Sequence, residues 1–361
     1  MQTPPLPPEK LESETISFLR FPLMVAVVFI HTIFPPSEIA LEHTPLFTGV
    51  YTLCAQIVAR MAVPLFFLFS GYLFFRHIDT FTFDCYKSKL VKRSRTLLVP
   101  YLFWNAAILF FYFVVQQAGL SSGRYKPIID YAPTEWLLAF WNMPTADGST
   151  SAPIDYPLWF LRDLMVIVLL SPIVHAVVKR LHLYVLVPVV LLWICNYETG
   201  IQGLSTTVIC FFSLGAYFAL RRKHFVRIMQ RLLPVALPLY IVMAIVELFS
   251  TGSSYVTYLH NTGILVGIVA LVGLTARRLE QGRWKIRRRL SDSSFFLFAY
   301  HAIPLSLLIK ICLNLLHPHT EAALIALYFI IPAIIVAAGV ALYALLKKYL
   351  PTITALITGG R

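Results

Sequence analysis

The sequence predicts an all-α polytopic membrane protein, with about ten transmembrane helices and both termini cytoplasmic. Three observations predict it. Hydrophobic residues make up 58% of the 361 residues and charged residues only 13%, whereas a soluble domain runs nearer 45–50% and about 25%. The apolar residues come in long runs, so the alternating ten-residue segments of an outer-membrane barrel are absent. The basic residues gather in alternate connections. Mean hydropathy is +0.74, too high for a chain that must coat itself in water.

A spanning helix needs about 20 apolar residues. Ten runs meet or approach that length: 17–34, 46–75, 96–118, 158–178, 183–197, 203–220, 232–250, 256–276, 293–316 and 321–346. The run at 183–197 is short and borrows its flanks. The run at 46–75 is too long to stand upright and is expected to tilt or project. These runs divide the chain into a tail at 1–16, a transmembrane domain at 17–346 and a second tail at 347–361. No internal repeat is visible, which separates the chain from inverted-repeat transporters.

Orientation follows from Lys and Arg. The connections at 76–95, 179–182, 221–231 and 277–289, with the two tails, hold 24 of the 30 basic residues. The alternate connections hold only Arg124 and Lys126, and four more lie within the apolar runs. The basic set is expected to face the cytoplasm. The net charge of +13 is therefore a topology signal and implies no nucleic acid. The five cysteines form no CxxC and are read neither as a disulfide framework nor as a zinc site. The start, MQTPPLPPEKLESET, lacks a signal peptide's basic region and cleavage site, so the first run is expected to remain as a helix.

Ionisable groups within the bilayer are costly and point to function. Arg20 and His31, in FLRFPLMVAVVFIHT, stand 11 residues apart. On a helix that is three turns plus about 20°, so both face one way, about 16 Å apart. Snorkelling of Arg20 and an interfacial His31 would account for each alone; their shared face favours a lined cavity. That separation suits the pantetheine arm of a CoA thioester. Arg20 could hold phosphate or the thioester carbonyl, and a neutral His31 could take the proton of an attacking hydroxyl.

The remaining candidates follow the same logic. Arg60 is mid-membrane and needs an anion, a carbonyl or water. Ser70, Gly71 and Tyr72 permit close approach of a helix or a ligand, and Tyr72 adds a hydroxyl. Arg162 and Asp163 sit near the depth of His31; Asp163 either orients His31 or pairs with Arg162, and the structural pair carries more weight. Trp159, Trp136 and Trp141 suit sugar stacking or an interfacial belt equally. His301 is a second internal histidine, ranked below His31 because it stands alone. Glu247 and Lys310 are placed to pair. His43, His260, His317 and His319 match no metal pattern and read as solvated loop residues.

Taken in order, Arg20-x10-His31, VPLFFLFSGYLFF at 63–75, KRSRTLLVPYLFW at 92–104, PLWFLRDLMVIVLLSPI at 157–173 and SFFLFAYH at 294–301 resemble the acyltransferase 3 family of integral membrane acyltransferases. The resemblance covers essentially the whole chain. It implies O-acylation, most often O-acetylation, of a cell-surface glycan or its lipid-linked precursor, in the plasma (inner) membrane. Acetyl-CoA would be the acyl donor and no metal is needed. It maps the family's essential Arg and His onto Arg20 and His31. Some members carry an added esterase-like domain, which is not expected here, 15 residues from the last run to the end.

The residues therefore suggest a catalytic pair, Arg20 and His31. Arg60, Ser70 and Tyr72 join Arg20 at the donor, and Trp159, Arg162, Asp163 and His301 serve the acceptor. The competing function is a transporter or flippase for a lipid-linked glycan. Walker A, DxD, HxxxxD and GxSxG motifs are all absent from the sequence, which leaves ATP-driven transport and a serine elbow unsupported and argues against metal-dependent sugar transfer and glycerolipid acylation.

Overall fold

A computed structural model describes residues 6–39, 41–78, 80–120, 125–143, 152–250, 253 and 255–360. Arg124, in the second of the alternate connections (119–157), lies outside the described residues. Helices are the only repeating structure among the described residues, and each of the ten apolar runs carries one.

In chain order, α1 spans Pro8–His31, α2 Pro45–Phe75 and α3 Phe83–Gln117. A short α4 covers Pro133–Ala139. Next come α5 (Trp159–Leu169), α6 (Ser171–Leu181), α7 (Leu183–Ile194) and α8 (Thr206–Leu220). The chain continues through α9 (Phe225–Phe249), α10 (Val256–Glu280), α11 (Arg288–Tyr300), α12 (Ala302–Leu316), α13 (Glu321–Tyr349) and α14 (Pro351–Thr358). Six of these (α1, α2, α3, α9, α10 and α13) are long and apolar enough to cross a membrane, and counting α5–α6 and α11–α12 as single broken spans gives eight. Of the remaining four, α7 and α8 are shorter apolar helices, and α4 and α14 have only 7 and 8 residues.

The two broken spans differ from the straight helices that the runs at 158–178 and 293–316 suggest. They bend by 65° and 70°. Proline explains both. Pro172 and Pro304 lie in the first turns of α6 and α12. Each lacks an N–H, so the carbonyl four residues earlier loses its helical donor and the ring pushes it aside. A similar relaxation occurs within α2, which widens to π over Thr52–Val58 and tightens to 3₁₀ over Ala59–Met61 before Pro64. Arg60 occupies that tight turn.

Contacts gather the basic connections at one end. Arg76 meets Glu9 at 3.9 Å, Arg227 meets Glu280 at 2.7 Å and Lys347 meets Asp292 at 3.1 Å. The opposite end closes on Tyr328, buried among Phe29, Phe34, Phe47 and Tyr51. There the Phe47 amide donates to Glu321 at 2.8 Å, tying α2 to α13. The Trp104 indole donates to the Ile357 carbonyl at 2.9 Å and anchors α14 on α3.

The tightest crossing is α2 against α8. A Cβ at Gly71 would stand 2.1 Å from the Phe212 carbonyl oxygen, and one at Gly215 equally close to that of Leu68. Helix packing therefore accounts for Gly71. Backbone cannot yield as a side-chain tip can, so Gly71→Ala should cost ~3 kcal/mol or more. Gly49, with nothing within 4 Å of its Cβ position, should tolerate alanine or gain slightly. Thermal midpoints of the two purified variants check this; equal midpoints would contradict the packing.

Candidate active site

The site begins on α1. At 100° per residue, Ile16, Arg20, Met24, Val27 and His31 fall within about 80° of one another. The first four line a cavity of about 350 Å³ between α1, α2, α5 and α11. Its floor at the basic end carries Arg20, Ser70, Arg93 and Asp292. Arg20 and Arg93 act on each other as like charges, and Asp292 acts on Arg20. Asp292 is already engaged by Lys347. Two guanidiniums thus line one cavity in which the one carboxylate is shared with Lys347, an arrangement that favours an added anion. The walls are apolar, with Phe66, Phe160 and Phe298 forming an aromatic collar.

His31 lies one turn beyond Val27, past the collar and off the cavity wall itself. Its ring stands 5.3 Å from His301 and 5.0 Å from Tyr156, centre to centre. His301 sits at the 70° break between α11 and α12 and is fully buried. Its Nδ1 lies 2.7 Å from the Phe298 carbonyl and 3.1 Å from that of Leu297. A carbonyl only accepts, so Nδ1 carries the proton; this assignment leaves Nε2 as the buried, unbonded nitrogen. The break that Pro304 produces is what turns this ring toward α1. Arg60 lies on the same α2 stripe as Val63, Phe66 and Ser70, close enough to act electrostatically on His31. Its guanidinium donates to Gln56.

Other residues singled out from the sequence have structural partners. The Tyr72 hydroxyl donates to the buried Glu12 carboxylate, whose other oxygen is 3.4 Å from His224. Tyr72 therefore locks α2 to α1 away from the cavity wall, on which Ser70 lies. Arg162 binds Asp163 at 3.0 Å and donates to the Trp141 carbonyl at 2.7 Å. Asp163 also accepts from the Ser205 amide at 3.4 Å. This pair staples the second connection and the start of α8 to α5. Trp159 is half-buried, its ring 6.4 Å from that of Phe67. Glu247 pairs with His260 at 2.7 Å, because both face the α9–α10 contact; Lys310 is exposed. His260 is thus a half-buried helical residue, not a solvated loop residue.

Sequence reasoning missed Tyr156 and Asp155 as parts of this region, and reached Arg93 only as one member of the basic cluster at 87–95, a candidate attractor of CoA phosphates. Asp155 is 2% exposed, and its Oδ2 has no hydrogen-bond partner. Its backbone amide donates to Asn105 at 3.2 Å. Burial pushes the Asp155 carboxyl up to about 8. Between the ordinary carboxylate range and about 8, the folded chain holds a proton that the unfolded chain releases. Stability should therefore fall as pH rises through that window, by at most about 1.4 kcal/mol per unit. Asp155→Asn removes this group's share of the slope. Thermal midpoints of both proteins between about pH 5.5 and 8.5 check it; parallel profiles would contradict it.

A family model described as an acyltransferase domain matches residues 14–344. The chain belongs to the acyltransferase 3 family, and it is a multi-pass membrane acyltransferase. It is similar to succinoglycan biosynthesis protein ExoH of Rhizobium meliloti (strain 1021), with 29% identity over 357 residues, covering 97% of this chain and 92% of that protein. No solved structure matches.

Proposed function

We propose that this protein transfers an acyl group, acetyl in the simplest case, from cytoplasmic acyl-CoA to a hydroxyl of a cell-surface polysaccharide or its lipid-linked precursor, in the plasma membrane. The observation that carries the reading is the single α1 face that joins the Arg20 cavity to the His31–His301 pair. In this reading ten spans place the basic connections and both termini in the cytoplasm. Arg20 and Arg93 hold the phosphates of CoA, and Ser70 donates to its polar arm. The pantetheine chain threads the aromatic collar and brings the thioester to His31.

There the neutral His31 imidazole takes the hydroxyl proton as the acceptor oxygen attacks the thioester carbonyl. The C–O bond forms first and gives a tetrahedral intermediate; its collapse breaks the C–S bond, and His31 returns the proton to the departing thiolate. Arg60 offers positive charge to the oxyanion of the tetrahedral intermediate. The buried Nε2 of His301 accepts a hydrogen bond from a neighbouring hydroxyl of the acceptor, which orients the reacting one. Arg162 and Asp163 hold the outer connection, with Trp159, over the acceptor. The similarity to a succinoglycan biosynthesis protein supports a polysaccharide acceptor.

The test compares envelope glycans of a deletion strain and its parent by mass spectrometry and proton NMR. Loss of one class of O-acyl ester in the deletion strain, restored by the gene, is expected, and the mass increment gives the acyl group. Unchanged ester content would contradict the proposal.

A further inference from the structure

A second, larger feature lies on the other side of α1. Phe21, Val25 and Phe29 centre about 145° round the helix from the Arg20 stripe. They wall an open groove of about 1400 Å³ shared with α13. Its floor is the small face of α13, where Ala333, Ala337, Ala341 and Ala344 recur at helical spacing. From Ala333 to Lys348 the groove runs about 22 Å along that helix, against a hydrocarbon core of about 30 Å. The basic end carries Arg287, Arg288, Arg289, Lys347 and Lys348. Lys347 is paired with Asp292. Among the described residues, no carboxylate lies within ion-pair distance of Arg287, Arg288, Arg289 or Lys348.

An apolar trough ending in clustered, unneutralised cations is complementary to one kind of amphiphile: hydrocarbon with a phosphate at one end. We infer that this groove is a binding site for an anionic membrane phospholipid, its phosphate on the Arg287–Arg289 and Lys347–Lys348 cluster and one acyl chain along the Ala333–Ala344 face. Its α1 residues point away from Arg20 and His31, while Asp292 at the basic end lines both the groove and the donor cavity. The assignment stands on this groove alone and does not depend on the proposed function. Topology explains why basic residues are at this end; it does not explain why four lack carboxylate partners at the mouth of a trough.

The experiment is native mass spectrometry of the purified protein titrated with phosphatidylglycerol or phosphatidylcholine of the same chains. Phosphatidylglycerol should be retained at least tenfold better. Three variants locate the site. Arg288→Gln/Arg289→Gln/Lys348→Gln removes the headgroup contacts and should lower phosphatidylglycerol affinity roughly 100-fold, at about fivefold for each basic residue. Ala337→Phe fills the trough, leaves every charge in place and should reduce retention comparably. Arg221→Gln/Arg222→Gln/Lys223→Gln neutralises a basic connection away from the groove and should bind as wild type. Glycerol 3-phosphate in excess should not displace the lipid, because the chain is held too.

Equal retention of the two lipids, wild-type binding by either groove variant, or displacement by glycerol 3-phosphate would each overturn the assignment. Ala337→Phe alters a lipid-facing position and no charge, so it remains informative even where the triple variant fails to fold.

Discussion

His31→Ala should lower glycan acylation by about 10²–10⁴-fold while donor binding stays near the wild-type value. The prediction rests on where the ring lies. It ends the α1 stripe, beyond the aromatic collar, and faces His301 and Tyr156 at 5.3 and 5.0 Å. Arg20, proposed to hold the donor phosphates, is three turns away on α1, so deleting the imidazole removes the proposed base and leaves the proposed anion site whole. His301→Asn supplies a second reading of the same centre. Asparagine keeps a donor near the Phe298 carbonyl and loses Nε2, so packing should survive while turnover drops by about 10²-fold, the low end of the same range. Calorimetric titration of donor beside a turnover assay on folded variants separates the two effects. Wild-type turnover by His31→Ala would remove the base assignment.

Arg20→Ala should do the reverse. Loss of one charge-assisted contact costs about 1.5–3 kcal/mol, or roughly 10- to 150-fold in donor affinity. Turnover at saturating donor should change much less. Arg20→Lys keeps the charge and loses the planar fork, so partial recovery is expected. Arg93 shares the floor of the cavity, which makes the two contributions coupled. The Arg20→Ala/Arg93→Gln double variant should therefore depart from the product of the single effects. Unaltered donor affinity in Arg20→Ala would exclude the donor site assigned to this cavity.

Some of this was legible in the sequence because it is local. The 11-residue spacing fixes the shared face of Arg20 and His31 on any straight helix, and α1 runs unbroken from Pro8 to His31. The apolar runs likewise mark where helices must lie, since backbone polar groups in lipid need partners within their own segment. The rest depended on contacts distant in sequence. His301 meets His31 only because the chain breaks at Tyr300–Ala302 and α11 packs on α1. A lone histidine in an apolar run carries no sign of that neighbour.

Arg93 was hidden differently. It belongs to a cluster whose charge topology already explains, and only the helical register turns this one of its basic residues into the cavity. Tyr72 shows the opposite effect. Its residue type suited a ligand, yet Glu12, 60 residues earlier, takes its hydroxyl. Segments that are apolar all round give no amphipathic period from which such facing could be read.

In the proposed function, donor and acceptor meet from opposite ends of one passage. Sealed proteoliposomes oriented with the 277–289 connection outward test it directly. Acyl-CoA labelled in the acyl group is supplied outside, and deacylated glycan from the deletion strain is enclosed within. The account predicts labelled ester on the enclosed glycan, abolished by His31→Ala. Label appearing only when donor and glycan share one compartment would contradict it.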